Sequence, residues 1–226
     1  MTRILLENER IRISAQPRLV VADFDEDQAV TSWAIVGGGR RTARSVVWHE
    51  IRNADLGLDV DPIRVLEARL AELGRPDAVG MLTSRDLAHV HVRECRFEDL
   101  VATAVVTAGL SNALAIGDTP GPIALPGTIN VLCHVSAPLS EAASLEALSL
   151  VVEARTAATI AHDVPSRRSG LRATGTGTDC VVVASPSRHA GLPYAGKHTA
   201  VGHVVGRAVL EATHEAIARW KETFAP

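Results

Sequence analysis

Apolar positions along the first third of the chain alternate over short spans, and three segments, "RILLENERIRIS", "PRLVVADF" and "ARSVVWHEI", read as strands bounded by polar or glycine-rich breaks such as "VGGGRR". The period then lengthens. In "DPIRVLEARLAELG", Ile63, Leu66, Leu70 and Leu73 fall on one helical face, with Asp61 as N-cap, Pro62 at the first helical position and Gly74 as the stop. "AVGMLTS", "AHVHVREC" and "LVATAVVTAG" predict three further strands, and a turn-rich passage, "IGDTPGPIALPG", leads to another in "TINVLCHVSA". "SEAASLEALSLVVEARTAATIAH" predicts a long helix with Leu145, Leu148, Val151 and Val152 on a broad apolar face. A glycine-threonine loop and a valine strand follow in "ATGTGTDCVVVASP". The chain then runs into a helix on which Val201, Val204, Val205, Ala208, Val209, Ala212, Ala216, Ile217 and Trp220 recur at helical spacing. These elements predict an α/β fold: one domain over residues 1–226, with a mixed β-sheet packed by about three main helices.

Composition narrows the function classes. A net charge of −3 and 3% aromatic residues give no electrostatic or stacking reason to bind nucleic acid. Cys95, Cys133 and Cys180 lie far apart in apolar surroundings, as expected of buried thiols in a reducing, cytoplasmic compartment. The charged start "MTRILLENERIRIS" has no signal-peptide core, and no run approaches the roughly 20 apolar residues of a membrane span. The expectation is a soluble protein, and a homo-oligomer is left open.

Single motifs mislead. "GLPYAGKH" fits G-x-x-x-x-G-K at Gly191, Gly196 and Lys197, but His198 stands where a P-loop needs Ser or Thr for Mg²⁺. The more general physics is that Lys197 and His198 precede a helix whose free amides and dipole favour an anion. Nine histidines invite a metal site, with His89 and His91 placed on one strand face and His198 and His203 about the last helix start. The latter two are roughly 140° apart on a helix, and no H-E-x-x-H or cysteine pair occurs, so no metal is expected. "VGGGRR" lacks the G-x-G-x-x-G spacing, and no G-x-S-x-G elbow exists; Ser111 in "AGLSNA" is the nearest serine to follow an apolar strand.

Five ordered blocks together resemble the CbiZ-type adenosylcobinamide amidohydrolases: "TAGLSNA" (107–113), "GTINV" (127–131), "EARTAA" (153–158), "SGLRATGTGTDCVVVA" (169–184) and "YAGKHTAVGHVVGRAV" (194–209). "VGGG" (36–39) and "VGMLTS" (79–84) extend the resemblance over most of the chain. Against that family pattern, Arg155 stands where lysine is usual and His203 where an acidic residue is usual. The resemblance implies hydrolysis of the amide between the aminopropanol arm and the corrin ring of adenosylcobinamide, giving adenosylcobyric acid and 1-amino-2-propanol in corrinoid salvage. The substrate brings its own cobalt, so no protein cofactor is implied. A corrinoid-binding or carrier module without turnover is the alternative, and a phosphate-handling nucleotide enzyme a weaker one.

Amide hydrolysis needs an activated nucleophile, an oxyanion stabiliser and a proton for the leaving amine. The expected site joins the glycine-threonine loop to the start of the last helix. There His198 is the proton shuttle, since imidazoles as a class titrate near neutrality, Lys197 the oxyanion stabiliser, and Asp179 either a base or a loop-fixing carboxylate. Gly175 and Gly177 allow positive φ, so the loop can turn its amides toward a substrate, with Thr176 and Thr178 adding hydroxyls. Asn112 and Asn130 are placed to read corrin amides, and Glu153 to pair with Arg155 or face the pocket. A covalent route through Ser111, Thr176 or Thr178 stays open.

Overall fold

A computed structural model describes residues 2–52, 60–122, 125–188 and 190–224. Residues 123 and 124 of the turn-rich passage, and His189 among the nine histidines, lie outside the described residues. The chain order is β1 (Arg3–Glu7), β2 (Ile11–Gln16), β3 (Leu19–Ser32), β4 (Gly39–Glu50), α1 (Pro62–Glu72), β5 (Val79–Thr83), β6 (His91–Phe97), β7 (Leu100–Ala108), β8 (Ala113–Leu114), β9 (Ile129–Val135), α2 (Glu141–Ala161), β10 (Gly175–Thr176), β11 (Cys180–Pro186) and α3 (Ala200–Phe224). The helix signals hold: Asp61 caps α1 by accepting from the Ile63 N–H, and Gly74 takes φ +68° just past its end. His89 and His91 do not share a strand face, because His89 closes a short 3₁₀ turn and His91 opens β6.

Nine strands form one mixed sheet in the order β1-β2-β3-β11-β9-β7-β6, with β4 pairing β3 and β5. The 14-residue β3 is what folds this sheet over. Its first half pairs with β2 (Ile11 opposite Phe24) and its second half with β11 (Val182 opposite Ser32). Between them, the register with β4 slips across Asp23 to Gln28, an irregularity that bends a strand. Successive side chains point to opposite faces, so each strand of the interior serves two cores. Val131, Cys133, Val181 and Val183 face α2 and α3. Leu132 and Val182 face the opposite way, onto Val20, Trp48 and Met81 of the other half of the sheet. Leu19, Val21 and Val47 on its outer side carry Leu66 and Leu70 of α1. The layers therefore run α2 and α3, sheet, sheet, α1.

On α3 every position of the predicted apolar face is buried. On α2 the inward face is made by Ala143, Ala147, Leu150, Val151, Ala154 and Ala158, while Leu145 is exposed. Small residues let α2 lie close to its neighbours, so alanine, not leucine, marks the buried side.

Candidate functional site

β9 and β11 run parallel, and their N-terminal ends meet the C-terminal end of β7. Residues 174–179 approach this edge and are tied to it by the short β10–β8 ladder, in which Gly175 faces Leu114 and Thr176 faces Ala113. Asp179 fixes the loop. Its carboxylate accepts from the Ile129 N–H at 2.9 Å, the Thr176 N–H at 3.0 Å, the Thr176 hydroxyl and the Arg155 guanidinium. A carboxylate has about four acceptor sites, so all are used. Asp179 thus has the geometry of the loop-fixing carboxylate, with no lone pair left over for a substrate proton. Arg155, about nine-tenths buried, is its ion-pair partner across 24 residues of sequence.

Gly175 and Gly177 are not at positive φ. Glycine is required at 175 for space, since a Cβ there would lie 2.1 Å from Arg155 Nη1 and 2.4 Å from Asp179 Oδ2. Thr178 donates its hydroxyl to Gly127 O at 2.8 Å, and the Thr128 hydroxyl lies 2.9 Å from both Thr178 O and Asn130 Oδ1, able to donate to one at a time. Asn130 is inside β9 and spends its N–H on Leu82 O at 2.8 Å, which makes it a brace between sheet layers. Trp33, 41% exposed, donates its indole N–H to Asp179 O at 2.7 Å.

Three cavities surround this edge. One of about 350 Å³ is lined by Ser111, Asn112, Leu114, Arg167 and Arg168. A second, about 260 Å³, is lined by Asn112, Thr83, Thr128, Thr178 and Cys180. The third, about 430 Å³, is lined by Leu114, Arg155, Thr174, Thr176, Gly177 and Asp179. Asn112 is common to the first two and Leu114 to the first and third. Asn112 is only 6% exposed, yet neither its side-chain oxygen nor its nitrogen has a partner. Buried polar atoms are normally paired, so this carboxamide keeps both its donor and its acceptor capacity unspent. Cys180 adds no nucleophile, because burial pushes its thiol up to about 11.

Arg167 and Arg168 are not anticipated from sequence. The Arg167 backbone N–H donates to Ala113 O at 2.8 Å and the Arg168 backbone N–H to the Ser166 hydroxyl at 3.1 Å, while Asp118 accepts from that hydroxyl at 2.5 Å and from the Ala115 N–H at 2.8 Å. The Ser166 and Ser169 hydroxyls hold the Asp118 carboxyl below the usual carboxylate range. Neither arginine has an ion-pair partner among the described residues.

Among the described residues, no hydrogen bond or ion pair joins the two segments expected to converge. Lys197 ion-pairs with Glu153 at 2.6 Å, and both are exposed. Glu153 and Arg155 are two residues apart on α2, roughly 200° around the helix, so Lys197 and Asp179 are bound to different faces of it. The expected pairing of Glu153 with Arg155 is replaced by these two separate ion pairs. His198 is exposed, and no hydrogen bond joins it or Lys197 to residues 174–179. The start of α3 is also less open to an anion than expected, since the Thr199 hydroxyl accepts from the Gly202 N–H at 3.0 Å. His203 packs edge-on against Phe97 of β6, 5.4 Å between ring centroids. Among the described residues no group of three His, Cys, Asp or Glu side chains could hold a metal ion, and no helix is long and apolar enough to cross a membrane.

A family model described as adenosylcobinamide amidohydrolase matches residues 4–225. Three curated relatives are similar. An uncharacterized protein of Methanocaldococcus jannaschii is 28% identical over 63% of this chain and 64% of its own length. Proteins named adenosylcobinamide amidohydrolase from Halobacterium salinarum and Methanosarcina mazei are 32% and 30% identical, over 66% and 59% of this chain and 64% and 63% of their own lengths. The matched region thus spans just under two thirds of each relative. Among solved structures, the PH0078 protein of Pyrococcus horikoshii aligns with a TM-score of 0.43 and 13% identity, covering 97% of this chain and 82% of that one. An L-aminopeptidase D-Ala-esterase/amidase of Ochrobactrum anthropi aligns at 0.43 and 12%, covering 96% and 82%.

Proposed function

The chain belongs to the adenosylcobinamide amidohydrolase family, and on that premise we propose that it hydrolyses the amide joining the aminopropanol arm to the corrin ring of adenosylcobinamide. Water adds its oxygen to the acyl carbon, the C–N bond breaks, and the departing nitrogen takes a proton. The products are adenosylcobyric acid and 1-amino-2-propanol. The observation that carries the reading is the family match over residues 4–225. The cavities meeting at Asn112 support its placement.

In this reading the unpartnered Asn112 carboxamide receives the scissile amide: its N–H donates to the substrate carbonyl and to the oxyanion that forms there. The Arg167 and Arg168 guanidiniums stand on the same cavity and add positive charge toward that oxyanion. Ser111 and Thr178 flank Asn112 from the two sides, and their hydroxyl oxygens can position the attacking water. Asp179 and Arg155 hold the wall and take no proton. Lys197, paired with Glu153, and His198, exposed, have no direct part in bond cleavage.

Incubation with adenosylcobinamide in ¹⁸O water, followed by mass spectrometry, tests this: one ¹⁸O enters the corrinoid acid and 1-amino-2-propanol accumulates. Asn112→Ala lowers kcat roughly 100-fold, whereas His198→Ala stays within a few-fold. Tight corrinoid binding without either product would overturn the hydrolase reading, and the reverse order of the two variants would overturn the placement.

A further inference from the structure

The bend in β3 opens a second polar cavity, of about 380 Å³, lined by Glu9, Arg10, Asp25, Gln28, His134 and Ser136, with Glu26 and Arg188 at its rim. It is separate from the cavities at Asn112: His134 and Asn130 lie on the same side of β9 but four residues apart, about 13 Å along the strand. Two of its side chains are almost fully enclosed and incompletely bonded. Gln28 is 1% exposed; its N–H is spent on Glu26 O at 3.1 Å, and its Oε1 has no partner. His134 is 2% exposed, stacks on Phe24, and its Nε2 has no partner. Burial first, and then the nearby Arg10 charge, push its imidazole down to about 4. The ring is therefore neutral in ordinary buffers and keeps one nitrogen as an acceptor.

Charge at the rim selects the sign of the occupant. Arg10 pairs with Glu9 at 2.7 Å and Arg188 with Glu26 at 2.8 Å, so each cation already has a carboxylate partner. Asp25 has no ion-pair partner among the described residues. The cavity thus offers the Asp25 carboxylate, the free Gln28 Oε1 acceptor, and a neutral imidazole whose unpartnered Nε2 accepts or donates according to tautomer. We propose that this cavity is a binding site for a small primary ammonium compound carrying a hydroxyl. Its N–H groups would reach Asp25 and Gln28 Oε1, and its hydroxyl would meet His134. The amine released in the hydrolysis proposed above falls in this class, so the site would sense that product; this last link alone rests on the proposed reaction.

The test uses the full chain without corrinoid. 1-Amino-2-propanol is titrated by calorimetry, and the His134 ring protons are followed by NMR, with 2-propanol and acetate as controls. Saturable binding of the amine, with a shift at His134 and no response to either control, is expected. Asp25→Asn, an exposed change, and Gln28→Leu should each weaken binding roughly tenfold or more, and Asn112→Ala should leave it intact. Absence of saturable binding, binding untouched by Asp25→Asn, or preference for acetate would each overturn the proposal. Binding that survives while the enzyme shows no turnover would sink the reaction and leave this site standing.

Discussion

Arg155 and Asp179 form an ion pair between α2 and the last residue before β11, and both side chains are about nine-tenths buried. Such a pair is dear to break from one side, because the remaining charge is stranded without water. Arg155→Met should therefore lower unfolding free energy by about 3–5 kcal/mol, measured by urea titration, and Arg155→Lys should restore part of it. Asp179→Asn combined with Arg155→Met should cost less than the two single losses added together. A strictly additive result would mean that the two groups are not coupled.

Acid should destabilise the fold through His134. Its folded-state value is depressed to about 4, below the ordinary 6.5, so between those limits the unfolded chain binds a proton that the folded chain refuses. Stability then falls as pH drops from about 6.5 and the contribution levels off near 4, worth about 3 kcal/mol in all. His89, His91 and His162 are shifted the same way, chiefly by burial. Comparing wild type with His134→Gln across this window isolates the effect; parallel pH profiles for the two would refute it.

The three thiols should separate by reactivity. Burial pushes Cys133 up to about 12 and Cys180 up to about 11, and both are enclosed, whereas Cys95 is only partly buried. A thiol reagent at neutral pH should modify Cys95 first, with the other two reacting only on unfolding. Equal rates in the native protein would contradict the packing described.

Two glycines on α3 should respond oppositely to alanine. At Gly202 a Cβ would sit 2.2 Å from Gly196 O, a backbone atom that can yield only if the turn before the helix moves. At Gly206 nothing lies within 4 Å. Gly206→Ala should therefore stabilise by about 0.5–1 kcal/mol, and Gly202→Ala should lower Tm. Thermal melts decide both.

Much of this architecture is legible in the sequence where the physics is local. The α3 periodicity, the Asp61 cap and the Gly74 stop depend on residues within a few positions of each other, and each appears as expected. The division of β3 between two layers is not legible, because nothing in "LVVADFDEDQAVTS" states which strand each half will meet. The site divides in the same way. Ser111, Asn112, Thr178 and Asp179 do gather at one edge of the sheet. Lys197 instead ion-pairs with Glu153, and no hydrogen bond ties it or His198 to residues 174–179; adjacency of motifs in a family pattern carries no distance. One signal was available: Arg155 interrupts the stripe Ala147, Val151, Ala154, Ala158 on α2, and a charge on an apolar face requires a buried counter-charge.

Of the three indoles, Trp48 is fully enclosed and Trp220 nearly so, while Trp33 stands 41% exposed with its N–H on the Asp179 carbonyl. Light absorbed by this protein is therefore re-emitted from two constant sources and one that borders the loop. Any molecule that settles against residues 174–179 changes the surroundings of that third ring, so intrinsic emission, with no added label, follows occupancy of the edge in real time.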